Sequence, residues 1–384
     1  MPTPPYLNLK VLDLSQGVAG PYCATLLAQQ GADVIKIEPP EGDWARNTGG
    51  GKDGMTPLAI ACNINKRSAV IDARKPEGRA LLAKLAAKAD VVLQNFRPGV
   101  IERMGVDYDT VQRGNPGVVY LSITGFGAEG PESRRPGTDS VLQSYAGLAH
   151  LNRNADGSPR RLPMLIPDMT TGLYASQAIG AALFARSRFG AGRHLRVSLL
   201  EACAAFQASH ILEDKLFEGR TPPPNTVPGG VFRTSDGWLF LGAVGEPMFA
   251  ALMKVLGLES WMKDERFTLF ADRQRNAQIL NDEAAKILAA APTVTWLERF
   301  DKADVLCAEP VDYAHFLQAE QVRHIGAFAE LDQSPYGALP LPRVPGADRD
   351  WPMRPAPRKG EHTREVLREL GLSEAEIEAL AAHG

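Results

Sequence analysis

Three short stretches of the sequence gather residue types that handle anions. SQGVAGP, at 15–21, places Gly17 and Gly20 directly before a helix start, where exposed backbone N–H groups favour negative charge. QNFRPG, at 94–99, sets an amide, a flat ring and a guanidinium side by side in Asn95, Phe96 and Arg97, with Arg103 one to two turns further on. TGFG, at 124–127, adds a third turn of the same character. Together they suit a nucleotide carrying phosphates. Plainer roles are open to each: glycines after strands form turns, Phe96 serves equally well as core, and surface arginines need no ligand. Asp168, between Pro167 and a long Ala- and Gly-rich stretch, stands where a helix N-cap ordinarily does.

Other chemistries lack their residues. The seven histidines form no H-x-x-x-H pair, and Cys23, Cys62, Cys203 and Cys307 are far apart with no C-x-x-C, so no metal site and no disulfide framework is expected. No G-x-S-x-G elbow for a serine hydrolase is present.

The elements that would position these loops follow from the hydrophobic pattern. Short apolar runs at 10–14, 33–37, 69–72, 90–93, 118–123 and 193–198 read as strands, separated by helical patterns. Pro21 and Gly31 punctuate the first helix and Pro76 opens the one over 77–89. Strand–helix alternation of this kind predicts an α/β fold with a parallel sheet, doubly wound or close to it. In such a sheet ligands bind beyond the carboxyl ends of the strands, where the three loops fall. Residues 172–188 read as a closely packed helix. The Pro- and Gly-rich EGRTPPPNTVPGGVF marks a linker, so a large domain is expected over 1–200, a smaller α+β domain over 225–325, and a return to the large domain over 326–384. The second Pro-rich stretch, 334–360, is expected to run extended over the surface without regular structure. Two closing helices are read at 361–370 and 373–382, the second capped by Ser373 and Glu376.

With 384 residues, 44% apolar and a net charge of -3, the chain offers no broad field for nucleic acid or an anionic membrane, which leaves a small ligand as the expected partner. No apolar run approaches the roughly 20 residues of a membrane span, and 1–15 lacks the pattern of a secretory signal, so a cytoplasmic location is expected. A dinucleotide-binding oxidoreductase is the fold-level rival, since Glu38 falls where a ribose-binding acid would. The loop, however, reads G-V-A-G-P rather than G-x-G-x-x-G, and Pro21 removes an N–H that would face a pyrophosphate.

VLDLSQGVAGPYCATLLAQQGADVIKIEPPEGD, NKRSAVIDARKPEG, ADVVLQNFRPGVIERMG, NPGVVYLSITGFG, the D-x-x-x-G of 168–172 and the closing GEHTREVLRELG together resemble the family III coenzyme A transferases, the group of formyl-CoA:oxalate and carnitine CoA-transferases. The resemblance runs over nearly the whole chain. It implies a Rossmann-like large domain built from both ends, a smaller domain between, and a homodimer of two interlocked subunits. It implies that an acyl-CoA and a carboxylic acid are the substrates, with coenzyme A bound as substrate and no metal, and that Asp168 is the catalytic nucleophile, forming an aspartyl anhydride and thioester. The coenzyme A contacts would be Val18, Ile71, Arg74, Asn95, Phe96 and Arg103, with Arg97 nearby. The backbone at Gly17–Gly20 and around Gly229–Gly230 would supply oxyanion donors, and Arg46, Arg134 or Arg135 could meet a second carboxylate on the substrate.

The sequence departs from the family pattern in places. Only Pro228, Gly229 and Gly230 stand where some relatives have a glycine-rich loop, Val18 replaces a glutamine, and Pro136 falls where some relatives place a lysine. The related alpha-methylacyl-CoA racemases carry G-H-D; the matching Gly137-Thr138-Asp139 has no histidine to exchange a proton, which demotes racemisation to an alternative.

Overall fold

The computed structural model describes residues 3–382. They form two compact units, one of Met1–Ala208 with Arg323–Gly384 and one of Ser209–Val322. The first unit is built on a six-stranded sheet of β1 (Lys10–Asp13), β2 (Asp33–Glu38), β3 (Arg67–Val70), β4 (Val91–Gln94), β5 (Val119–Thr124) and β6 (Arg193–Ser198). Every neighbouring pair is parallel, and the order is 3-2-1-4-5-6. This is the doubly wound arrangement, with its switch point between β1 and β4.

Parallel strands buried on both faces need apolar side chains in both directions, and β1 and β4 supply them. Val11, Val91 and Leu93 join one core, while Leu12, Leu14 and Val92 join the other. Within the first unit the helices before Ala208 are α1 (Ala19–Gln29), α2 (Pro57–Ala61), α3 (Pro76–Lys88), α4 (Val100–Arg103), α5 (Tyr108–Gly114), α6 (Asp139–Tyr145), α7 (Leu148–Leu151), α8 (Ile166–Phe189) and α9 (Leu199–Phe206). The first core carries α1 and α8. The second carries α3 and the two C-terminal helices, Thr363–Glu369 and Glu374–Ala382. Ser373 and Glu376 exchange the expected capping bonds.

Three elements differ from the sequence reading. The third strand ends at Val70 rather than residue 72, because Arg67 enters it: the guanidinium is held by Asp33, Glu365 and Glu369, so a charge occupies an almost buried strand position. The carboxylate and carbonyl of Asp72 instead close a turn onto Arg74 and Lys75. Helix α8 begins six residues before 172. The Pro-rich stretch contains a strand, β11 (Ala338–Pro342), paired antiparallel with β10 (Phe328–Asp332). In that strand Leu339 and Leu341 alternate with prolines and pack on Met55, Ile60 and Ile64, a two-residue period that proline content masked.

The second unit holds an antiparallel sheet of β7 (Gly229–Arg233), β8 (Trp238–Gly242) and β9 (Leu306–Ala308). Its own core includes Phe249, Leu252, Leu280, Leu288, Trp296 and Phe300, so it is α+β in class.

Candidate active site

The loop after β1 is fixed from below by buried charges. Lys36, with no exposed surface, donates from Nζ to the Ser15 carbonyl at 2.5 Å and to Asp43 Oδ2 at 2.6 Å. Asp43 Oδ1 in turn accepts the Gly17 N–H at 2.9 Å. Asp13 receives Lys66 Nζ at 2.8 Å and the Ser15 hydroxyl at 2.5 Å. Burial opposes ionisation of Asp13, but the Lys66 and Lys36 ammonium groups outweigh it and hold the carboxyl below the usual range. Such charges persist in a core only when paired and hydrogen-bonded. Gly17 sits at φ +80°, and a Cβ there would lie 2.0 Å from Trp44 Cζ2, so only glycine fits.

Glu38 belongs to the same buried layer. Arg46 grips it with two bonds of 2.6 and 2.7 Å, and the Ser68 hydroxyl adds a third at 2.6 Å. Burial raises the Glu38 carboxyl, yet Arg46 and Lys36 bring it down to about 2. Glu38 is therefore unavailable to a ribose, and Arg46, almost wholly buried, is unavailable to a substrate carboxylate. Both sequence-level possibilities fall to one ion pair.

Asn95 ties the β1 and β4 loops together across the switch point. Its Oδ1 accepts the Gln16 N–H at 2.8 Å and its Nδ2 donates to the Gln16 carbonyl at 2.7 Å. The amide read as a ligand donor is first of all a clamp. Phe96 is half-buried against the α3 face, and its N–H donates to Gln94 Oε1 at 2.7 Å. Gln94 continues through the Ser122 hydroxyl, 3.0 Å away, to His194 Nε2 at 2.9 Å, a chain that crosses three strands. Sequence reasoning missed both Gln94 and His194, because neither spacing hints at a contact made through a third strand.

The remaining sequence-named residues lie on the same carboxyl edge. Val18 is buried at the α1 start and Ile71 just beyond β3. Arg74 is exposed and held by Asp72 at 2.7 Å, while Arg97 and Arg103 are exposed on the β4 loop and α4. The Arg103 guanidinium folds back over Gly99. Ile71 and Phe96 thus face the α3 core, whereas Asp168 starts α8 on the opposite side of the sheet.

Helices α1 and α8 run side by side in the same direction. Gly172 meets Ala19, Tyr22 and Cys23 near the α1 start, and Gly180 meets the Tyr6 hydroxyl where α1 ends. A Cβ on Gly172 would stand 2.8 Å from the Tyr22 ring, so the missing side chain permits the approach. Asp168 lies one turn before Gly172, which brings it to the α1 start. It is not the N-cap expected from the sequence. Leu165 holds that position without a side-chain bond, and the Thr170 and Thr171 hydroxyls turn back onto the carbonyls of Ile166 and Pro167.

Among the described residues, none donates a hydrogen bond to the Asp168 carboxylate, while its own N–H reaches Asp139 Oδ2 at 3.4 Å. Burial first, and the neighbouring Asp139 charge second, push the Asp168 carboxyl up to about 7. Asp139 is itself buried, anchored to Gln143 Nε2 at 2.7 Å, and raised by the same desolvation. Burial also raises the nearby thiols of Cys62 to about 12 and Cys203 to about 11, which removes them as nucleophiles at neutral pH. A carboxylate without donors is a poorly stabilised anion, the state in which a carboxylate is most nucleophilic.

Of the backbone donors named from the sequence, two are already taken. The Gly17 N–H serves Asp43, and the Gly229 N–H, in the second compact unit, serves Asn281 Oδ1 at 3.0 Å. The N–H groups of Val18, Ala19 and Gly20 have no partner among the described residues and form the first turn of α1. They are what an oxyanion or another anion would meet.

The sequence pattern of CoA-transferase family III matches residues 7–363. The chain belongs to CoA-transferase family III. Family III relatives include the succinate–glutarate CoA-transferase of Agrobacterium fabrum, 32% identical over 96% of this chain and 96% of that one. The acetyl-CoA:oxalate CoA-transferase of Acetobacter aceti is 31% identical over 97% and 98%. A CAIB/BAIF family protein from Brucella suis superposes with a TM-score of 0.84 at 31% identity, covering 96% of this chain and all of that one. The protein is therefore an enzyme, a family III CoA-transferase that moves coenzyme A between an acyl-CoA and a carboxylic acid. Among the described residues no cluster of His, Cys, Asp and Glu could hold a metal ion, and no helix is long and apolar enough to cross a membrane.

Proposed function

We propose that Asp168 is the nucleophile and carries the transfer through covalent intermediates. One Asp168 oxygen attacks the thioester carbonyl, the C–S bond breaks, and coenzyme A leaves as its thiolate, giving a mixed anhydride. The thiolate then attacks the Asp168 carbonyl carbon, releasing the donor acid as a carboxylate and forming an aspartyl thioester. The acceptor carboxylate repeats the first step on that thioester, and the returning thiolate takes the new acyl group and frees Asp168. Every nucleophile is an anion, so no proton changes hands and no general base is required. The free N–H groups of Val18, Ala19 and Gly20 meet the tetrahedral oxyanions.

The observation that carries this reading is the Asp168 carboxylate at the paired starts of α1 and α8, half-buried beside the buried Asp139 and without a hydrogen-bond donor among the described residues. Coenzyme A would lie across the switch point, its nucleotide toward Ile71, Arg74, Phe96, Arg97 and Arg103 and its thioester toward Val18 and Asp168, passing over the Asn95 clamp. The dicarboxylic acids in the names of the Agrobacterium and Acetobacter relatives support a dicarboxylic partner here. The exposed Phe184, Phe189 and Phe206 on α8 and α9 favour a covered face and hence the homodimer, interlocked as the family resemblance implies; a cytoplasmic location is part of the same proposal.

Incubation with an acyl-CoA followed by borohydride or hydroxylamine should modify Asp168, detected by peptide mass spectrometry. An unmodified Asp168, with proton exchange at the substrate alpha carbon, would favour the racemase alternative.

A further inference from the structure

The segment before α8 is strapped to α6 by one buried side chain. Gln143, fully enclosed, donates to the carbonyls of Met164 at 2.8 Å and Leu162 at 3.3 Å and accepts the Leu162 N–H at 2.9 Å. The same amide holds Asp139 Oδ1 at 2.7 Å, and Asp139 Oδ2 receives the Asp168 N–H. Residues 162–164 are thereby fixed in register with Asp168. At the start of this strap Arg161 donates to the Ser140 hydroxyl, next to Asp139. Its guanidinium is exposed and pairs with no carboxylate among the described residues. Its charge is felt at the Asp139 carboxyl.

The other candidate arginines are differently placed. Arg46 is consumed by Glu38. Arg135 is paired with Glu132 at 2.7 Å and lies over the Phe126 and Tyr145 rings. Arg153 and Arg160 are engaged within 150–160, with His150 and Asn152. Arg134 is exposed on the loop between β5 and α6.

We propose that Arg161 is a specificity-determining residue that receives the distal carboxylate of a short dicarboxylic acid whose proximal carboxyl group reacts at Asp168. A planar guanidinium with free N–H groups matches a carboxylate in two-point geometry. The buried Gln143 strap supplies the rigidity that a lone surface arginine lacks, so charge recognition costs little ordering of the chain. The same position selects the acyl-CoA half-substrate, because donor and acceptor occupy one acyl site in turn. This proposal rests on the Asp168 transfer reading.

The test measures kcat/KM for glutarate and for butyrate as acceptors, with one acyl-CoA donor, in wild-type protein and in Arg161→Ala, Arg161→Lys and Arg161→Glu. The glutarate-to-butyrate ratio should fall about 10- to 100-fold in Arg161→Ala, as for a lost hydrogen bond to a charged group. It should recover in part in Arg161→Lys and fall furthest in Arg161→Glu. A merely structural arginine would lower both acceptors alike and leave the ratio unchanged, which would overturn the proposal. Wild-type protein that exchanges coenzyme A with neither acid, and acquires no adduct at Asp168, would instead remove the transfer reading and this assignment with it.

Discussion

The backbone N–H of Asp168 donates to the buried carboxylate of Asp139, 3.4 Å away. Two acidic side chains thus share one corner, and Gln143 binds Asp139. The arrangement keeps a negative neighbour beside the proposed nucleophile, which raises its energy and its proton affinity together. In the proposed transfer Asp139 would act through Asp168, as a positioning residue.

The pH profile of kcat/KM should report this pair. Only ionised Asp168 attacks, so the rate should rise with pH through an inflection near 7 and then level off. In Asp139→Asn the inflection should move to lower pH, because one of the two causes of the raised carboxyl is gone while burial remains. The inflection belongs to the coupled pair, and the expected shift is a fraction of the full displacement. A rate profile whose acid limb stays in place in Asp139→Asn would contradict the coupling.

Stability should run opposite to activity at Asp168. Its folded value of about 7 lies above the ordinary 3.8, so the folded state holds the proton more tightly than the unfolded chain. Stability from this group is full below the unfolded value, declines as pH rises toward 7, and stays reduced above it. Asp168→Asn removes the charged form and should raise the melting temperature at pH 8, with no gain at pH 4. After a discount for the partial exposure of the group, the gain at pH 8 is on the order of 1–2 kcal/mol. Thermal melts at the two pH values check this, and an equal effect at both would refute the sign.

Asn95→Ala should loosen the clamp on Gln16. Two hydrogen bonds to the backbone of one residue are lost, and a cost of about 1–3 kcal/mol in stability follows. Because the clamp shapes the loop over which coenzyme A would pass, KM for the acyl-CoA should rise more than kcat falls. Asn95→Asp keeps the acceptor for the Gln16 N–H but loses the donor to its carbonyl, so its KM should fall between the two. Steady-state kinetics of the three proteins decide the order.

Much of the frame was legible in the sequence because strands buried on both faces write themselves as apolar runs, and Pro21, Gly31 and Pro76 mark where their helices begin and end. The strand after 66 was misplaced because Arg67 looks like a loop residue until Asp33, Glu365 and Glu369 are seen around it. The loops of the site were legible as loops, but the employment of their polar atoms was not. Asn95 is turned inward onto Gln16, Gly17 N–H onto Asp43, and Arg46 onto Glu38, each through a partner that spacing alone does not reveal. Asp168 resembled a cap because Pro167 precedes it, whereas the helix had already begun.

Isotope transfer into the nucleophile tests the central claim most directly. When the acceptor acid carries oxygen-18 in its carboxyl group, the described sequence of bonds leaves one labelled oxygen on Asp168 after turnover, since the acceptor oxygen that joins the anhydride stays behind when the thiolate removes the acyl group. Mass spectrometry of the peptide containing Asp168 should show that single label after the first turnover with an acyl-CoA and the labelled acid, a second label as turnover repeats, and no label when the acyl-CoA is omitted. Transfer of coenzyme A that proceeds at full rate with Asp168 unlabelled would contradict the account.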